Sequence, residues 1–327
     1  MVEQDLTSQA IPSLLSVVIV TVGDTVTPYC DTSDLRESLR ALTQQDNPPK
    51  MEIIVPYHSG MMGIEELRAS FPSVKFLYVE QLKRRKSTTG GREHHDEMRA
   101  IGMAATHGEI IAFLEDHVRP DPSWSMNILK AHSQPYAAIG GAIENGVNCP
   151  LNWAVYYCDL GKYQNPVPNG ESLYASTVNI SYKRTSLEAI KPVWRDVFNE
   201  TLVNTELLKR GEKIALSPLI IVFQHRLNLR LKVVLKEFFI WGRSYARIRA
   251  KLITKTKKLV FTFLSPLLPG ILLWRMGRRV IRRGRNSGSF LRAFPLVVIL
   301  VASWSAGEFV GYLSPAMRLT DPLMQPL

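Results

Sequence analysis

The run Gly108-Glu109-Ile110-Ile111-Ala112-Phe113-Leu114-Glu115-Asp116-His117 constrains the fold more than any other stretch of the chain. Its apolar centre reads as a strand buried on both faces, the pattern of a parallel sheet. The strand stops abruptly at two acids and a histidine, and Pro120, Pro122 and Trp124 follow. Acids at the carboxyl end of such a strand sit in the crevice where open α/β sheets bind ligands. Oxygen ligands suit Mg²⁺ or Mn²⁺, and a cation held there can grip a diphosphate. Taken alone, the tripeptide reads equally as acids solvated at a turn.

The surrounding sequence alternates. Strands are predicted near 16–21, 51–56, 74–79, 109–114 and 136–142, and helices over 33–45, 62–70, 93–106 and 123–131. This alternation predicts an α/β fold, a mostly parallel sheet flanked by helices. After Gly141 the pattern becomes irregular, with a strand at 178–182, a helix around 200–210 and a strand at 214–223.

Charge divides the chain. Of 40 Lys and Arg, 18 fall between Arg226 and Arg292, against a single acid there, Glu237. That segment carries +17 and the remainder −6, within a total of +11. Such asymmetry points to nucleic acid or an anionic membrane surface. Two uncharged runs, 259–274 and 293–307, lie among the basic clusters, so the expected partner is a membrane lipid surface and no nucleic acid is expected. A full span needs about 20 residues. The second run reaches that length if Glu308 sits at the interface and 309–313 continue it. The first contains Pro266, Pro269 and Gly270, which break a span into a re-entrant, interfacial or broken helix. Residues 226–259 read as a basic amphipathic helix. Cys30, Cys149 and Cys158 form no paired framework, and the first residues lack the basic start and apolar core of a signal peptide. The expectation is a membrane-associated protein whose catalytic body is cytoplasmic.

The acidic run, with its Pro/Trp turn, resembles the metal motif of family 2 glycosyltransferases. The resemblance covers roughly residues 16–225 in order. Ser16–Thr21 resembles that family's first strand, and Glu52–Val55 its second nucleotide-binding strand. Arg99–Ala105 with Gly108 resembles the helix leading to the metal motif. Gly140-Gly141 and then Val178–Arg184 resemble the acceptor-side strand. Glu200 stands eleven residues before Gly211 and eighteen before Pro218, the register of the family's catalytic acid, and His225 falls where the family often has a histidine. The resemblance implies a GT-A fold over 16–225, after a 1–15 extension and before membrane-associated helices over 226–327.

It also implies roles. Glycosyl transfer needs a donor pocket, neutralisation of the departing diphosphate, and a base for the acceptor hydroxyl. Glu115 and His117 are the expected cation ligands, with Asp116 between them and His225 as a further ligand from the far strand. The cation is Mn²⁺ or Mg²⁺; a histidine at the third motif position departs from the family pattern and leaves the choice open. Glu200 is the expected base, with Asn204 and Glu206 as rivals. Thr21, Gly23, Glu52, Tyr57, His58 and Arg99 are the expected donor-binding residues, and Arg92 and Arg99 are candidates for phosphate. The second strand ends in Tyr57-His58 where the family has Asp, so the base is not readable. The expected partners are a nucleotide-sugar donor and a glycan or polyprenyl-linked acceptor. Two other readings remain: a nucleotidyltransferase, which lacks a Gly-rich phosphate loop at the first strand, and a non-catalytic glycosyltransferase-like scaffold at the membrane.

Overall fold

The computed structural model describes residues 15–22, 30–59, 61–82 and 93–313. The first half holds β1 (Leu15–Val20), β2 (Cys30–Asp31), α1 (Ser33–Thr43), β3 (Met51–Tyr57), β4 (Met61–Met62), α2 (Ile64–Ser70), β5 (Val74–Tyr78), α3 (Glu93–Ala104), β6 (Ile110–Glu115), β7 (Val118–Pro120) and α4 (Trp124–His132). The second holds β8 (Ala138–Asn145), α5 (Pro150–Asp159), β9 (Gly170–Glu171), β10 (Asn179–Lys183), α6 (Arg184–Glu188), α7 (Lys191–Trp194), α8 (Glu200–Lys209) and β11 (Ile214–Gln224). It closes with α9 (Leu231–Leu252), α10 (Lys255–Leu264), α11 (Leu268–Arg283) and α12 (Ser287–Leu313).

Among the described residues the main sheet runs β5-β3-β1-β6-β10-β8-β11-β7, with β9 also on β11. β5, β3, β1 and β6 are parallel neighbours, and β8 and β11 run the same way. β10 is inserted antiparallel between β6 and β8. The fold is therefore the α/β class that the alternation predicts. Every residue of β1 and β6 is buried, because helices cover both faces. Alternate residues of β1 divide between the two sides: Leu15, Val17 and Ile19 pack with α1 and α4, whereas Val18 and Val20 pack with α3 and α8.

Helix ends follow local chemistry. Asn199 caps α8 by accepting from the Leu202 amide at 3.3 Å, with Glu200 in the first turn. Gly211, at φ +79°, ends the segment in the left-handed region that glycine tolerates. Pro266 lies in the 3₁₀ turn that separates α10 from α11, as the prolines in that run predict.

The C-terminal helices are built into the body. Val234 and Phe238 of α9, and Phe290, Ala293, Val297 and Leu300 of α12, belong to the same core cluster as the α1 side of the sheet. α9 and α12 run parallel in steps of four. Ser303 Oγ donates to Leu235 O at 2.8 Å, and Gly307 and Gly311 abut the Phe239 and Arg243 carbonyls. A Cβ on Gly307 would lie 2.0 Å from Phe239 O, so contact this close requires glycine. Two stretches, Lys255–Arg283 and Ser287–Leu313, are long and apolar enough to cross a membrane. Glu308 is buried within the helices, bonded by Trp304 Nε1 and Tyr312 OH at 3.2 and 3.1 Å.

Candidate active site

The acidic run is delivered to the carboxyl end of β1. Val20 pairs with Glu115 in the parallel register, the Asp116 amide donates to Val20 O, and the Val22 amide donates to Asp116 Oδ1 at 3.3 Å. Glu115, Asp116 and His117 are all buried. His117 Nδ1 lies 3.3 Å from Asp116 Oδ1, and its Nε2 lies 3.3 Å from Gln224 Nε2 and 3.7 Å from Glu115 Oε2. The Asp116 contact favours a proton on Nδ1, which leaves Nε2 as an acceptor for the Gln224 amide.

Arg99 reaches this cluster from α3. Its Nη1 meets Asp96 Oδ1 at 2.7 Å and its Nη2 meets Glu115 Oε1 at 2.8 Å, with the guanidinium almost fully enclosed. The expectation of a phosphate-binding or solvated Arg99 is corrected on this point: its charge is committed to two carboxylates inside the protein. Asp96 in turn fixes α8, accepting from Asn199 Nδ2 at 3.1 Å while its carbonyl accepts the Phe198 amide at 2.9 Å. Glu200 is thereby held on the far side of Arg99 from Glu115. Burial raises the Glu200 carboxyl above the usual glutamate value; the Thr177 amide, which donates to Oε2 at 2.5 Å, and the charges of Arg99 and Lys162 oppose this without cancelling it. The rivals are engaged elsewhere. Asn204 accepts from the buried Tyr182 hydroxyl at 2.8 Å, and Glu206 pairs with Arg210 at 3.2 Å.

Three expected site residues lie elsewhere or face away. Glu52 sits at the amino end of β3, opposite Ser16, at the end of the sheet remote from Glu115. Its carboxylate accepts from Ser16 Oγ, the His107 amide and the Gly108 amide. Burial acts to raise its pKa, but these bonds prevail and hold it below the usual value. It is a brace for the 107–108 turn. His225 donates its amide to His117 O at 2.6 Å, but its ring packs on Gly146, and its pKa falls to about 4 through burial and the nearby Arg119 charge, against Glu37. Strand alternation turns Gln224, not His225, towards His117. Asn179, on the acceptor-side strand, spends its side chain on Trp124 Nε1 and the Ala142 and Ile220 carbonyls.

Thr21 lies buried just beyond β1 with Oγ1 3.4 Å from Met61 Sδ. Tyr57 ends β3 with its ring 5.3 Å from that of Tyr78, and His58 follows with its ring 6.5 Å from that of His94. These three stand at the carboxyl ends of the strands, the side on which the acidic cluster lies. Gly23 and Arg92 lie outside the described residues.

A small cavity opens beside the cluster, lined by Val22, Glu115, His117, Asp159, Gln224, Arg226, Glu237 and Trp241. Glu237 and Trp241 come from α9, so the basic C-terminal segment forms a wall of the site. Arg226 Nη2 bridges both Glu237 oxygens at 3.0 Å. Sequence reasoning missed this pair, although Glu237 is the lone acid in its basic segment. A buried lone acid among cations is a recognisable signal of an internal ion pair.

Among the described residues, no three His, Cys, Asp or Glu side chains gather closely enough to hold a metal ion. Glu115 Oε2 and His117 Nε2, 3.7 Å apart, have the spacing of two ligands on one cation with bonds of about 2.1 Å. The pair fits a cation whose remaining positions are filled by water and substrate phosphate, and does not form a self-sufficient site. His225, facing away, adds no donor.

No family model matches the chain, and no curated protein matches its sequence. By structure it is similar to the mannosyltransferase PcManGT from Pyrobaculum calidifontis in complex with GDP-Man and Mn²⁺, at 15% identity over 93% of this chain and 75% of that one, with a TM-score of 0.47. It is also similar to TarS 1–349 of S. aureus, solved alone and with UDP, at 12% identity and TM-scores of 0.44 and 0.46. Those two matches cover 91% and 90% of this chain and 88% and 90% of the other. Neither likeness assigns the chain to a family.

Proposed function

We propose that the protein is a membrane-associated glycosyltransferase that moves a sugar from a nucleotide-sugar donor to a lipid-linked or glycan acceptor by a single inverting displacement. The observation that carries the reading is the joining of Glu115 and Glu200 through one buried arginine. An acidic strand end and a partly covered glutamate of raised pKa stand on either side of Arg99, at the ligand-binding edge of the sheet.

In this reading the acceptor hydroxyl oxygen attacks the anomeric carbon, and its proton passes to the Glu200 carboxylate. The bond from the anomeric carbon to the diphosphate breaks, and the nucleoside diphosphate leaves with the electron pair. Thr21, Tyr57 and His58 line the donor side. Asp116 orients His117 through Nδ1. Glu115 and His117 would share a divalent cation with the diphosphate, whose charge that cation would neutralise. The raised pKa of Glu200 suits a base working near neutral pH. Asp159, Arg226 and the α9 wall enclose the cleft.

Membrane attachment falls to α10, α11 and the outer face of α12. Phe263, Trp274, Ile281 and Leu291 are each more than 60% exposed, beside Lys255, Lys257, Lys258, Arg278 and Arg282. An apolar face ringed by cations is complementary to an anionic lipid surface.

The test is transfer from a labelled nucleotide sugar into membrane lipid extract by the full chain in detergent. Glu200→Gln should lower turnover by about 10²–10⁴ with donor affinity unchanged. Wild-type turnover by Glu200→Gln, or loss in Glu206→Gln instead, would refute the assignment.

A further inference from the structure

One face of α11 carries cations that meet no acid. Arg275, Arg279 and Arg283 recur every four residues and so share a side of the helix. Arg283 turns to the body, donating to Gly161 O at 2.7 Å and Lys162 O at 2.8 Å. Arg279 is half-buried beside Gly161, its Nη1 3.8 Å from the point where a Cβ would stand. It forms no hydrogen bond or ion pair, although Arg275 and Arg283 are within electrostatic reach. Lys162 lies over the rings of Tyr163 and Tyr174, at 4.7 and 5.1 Å, likewise without an acid. Other cations here are matched: Arg99 by Glu115 and Asp96, Arg226 by Glu237, Arg285 by Glu144. The carboxylates facing the patch are few. Glu144 is spent on Arg285, Asp159 is exposed near Tyr163, and Glu200 is the proposed base, whose charge Lys162 feels.

Half-buried cations that repel one another are stable only if an anion or water completes them. We propose that Lys162, Arg275 and Arg279 form the seat for the phosphate head of an amphiphilic acceptor. Trp274, Ile271 and Leu267, exposed on the same helix, receive its apolar chain. The seat adjoins Glu200 through Lys162 and Tyr163, so a phosphate held there would present the adjoining hydroxyl to the base. This deepens the glycosyltransferase reading by naming the acceptor class, and rests on that reading only for what happens after binding.

The test uses the full chain in nonionic detergent, with farnesyl phosphate as probe and tryptophan fluorescence as readout; no donor is present. Wild type should bind farnesyl phosphate saturably. Farnesol should not compete, and inorganic phosphate should compete only at far higher concentration. Arg275→Gln/Arg279→Gln should weaken binding about tenfold or more, the loss of charge-assisted bonds. Lys162→Gln, on an exposed side chain, should weaken it in the same direction, and Arg279→Lys should restore part of it. Arg278→Gln/Arg282→Gln, on the other side of α11, should leave it unchanged. Equal losses in both arginine pairs would mean a generic basic surface and overturn the seat, as would undiminished binding in Arg275→Gln/Arg279→Gln or full competition by farnesol. Stronger binding of inorganic phosphate than of farnesyl phosphate would assign the cluster to a free anion and overturn the lipid acceptor. Absence of nucleotide-sugar binding would sink the transfer reading while leaving this result standing.

Discussion

Arg99 Nη2 lies 2.8 Å from Glu115 Oε1 with both side chains about 95% enclosed, and this pair connects the helix leading into the acidic motif to the motif itself. Removing one partner leaves a buried charge without compensation. Arg99→Gln should therefore destabilise the fold by about 3–5 kcal/mol. Arg99→Lys keeps the charge but loses the fork that spans Asp96 and Glu115, and should fall between the two. Chemical denaturation of the three proteins checks the order. Equal stabilities would show that the pair contributes nothing.

His132 supplies a pH dependence. It is buried, with Nε2 2.8 Å from Ser181 Oγ, and burial followed by Lys183 repulsion depresses its pKa to about 3. The unfolded chain takes up the proton near pH 6.5, whereas the folded chain resists it until about 3. The neutral ring therefore favours folding fully above pH 6.5, and stability declines as pH falls between those values by about 1.4 kcal/mol per pH unit. His132→Gln should flatten stability across this window. An unchanged pH slope in that variant would contradict the assignment.

The α9–α12 contact is set by glycine. Gly307→Ala would drive a Cβ into the Phe239 carbonyl, and Gly242→Ala would do the same at the Trp304 carbonyl. Each should cost about 1–3 kcal/mol by overpacking. Because α9 carries Glu237 and Trp241, Gly307→Ala should also weaken donor binding. Thermal unfolding together with donor titration checks both effects. A variant as stable as wild type would show that the helices separate freely.

The alternating half was legible because buried strands and amphipathic helices impose different periods on the sequence. β6 and its acidic end stood out on apolarity alone, and Gly211 announced the end of α8. The site was read less fully. Gln224 and His225 differ by one position, and a one-residue step on a strand exchanges its faces. Glu52 matched a strand but sits at its wrong end, which periodicity does not reveal. The Arg226–Glu237 and Arg99–Glu115 pairs join segments distant in sequence, and single-chain pattern reading carries no information on such contacts. The basic segment looked like an appendage because its charge dominates, yet Val234, Phe238, Val297 and Leu300 place α9 and α12 in the core of the body.

The most direct measurement of the central claim is donor binding. The full chain in detergent should be titrated with UDP-, GDP- and dTDP-sugars, with Mn²⁺ and with chelator, following thermal unfolding. A ligand at 100 times its Kd stabilises the native state by about 2.7 kcal/mol. The account predicts that at least one nucleotide sugar raises Tm saturably, that chelator reduces the effect, and that His117→Ala reduces it while His225→Ala does not. If no nucleotide sugar moves Tm at millimolar concentration under either condition, the protein is not a nucleotide-sugar enzyme and the reading of Glu115, Asp116 and His117 is wrong.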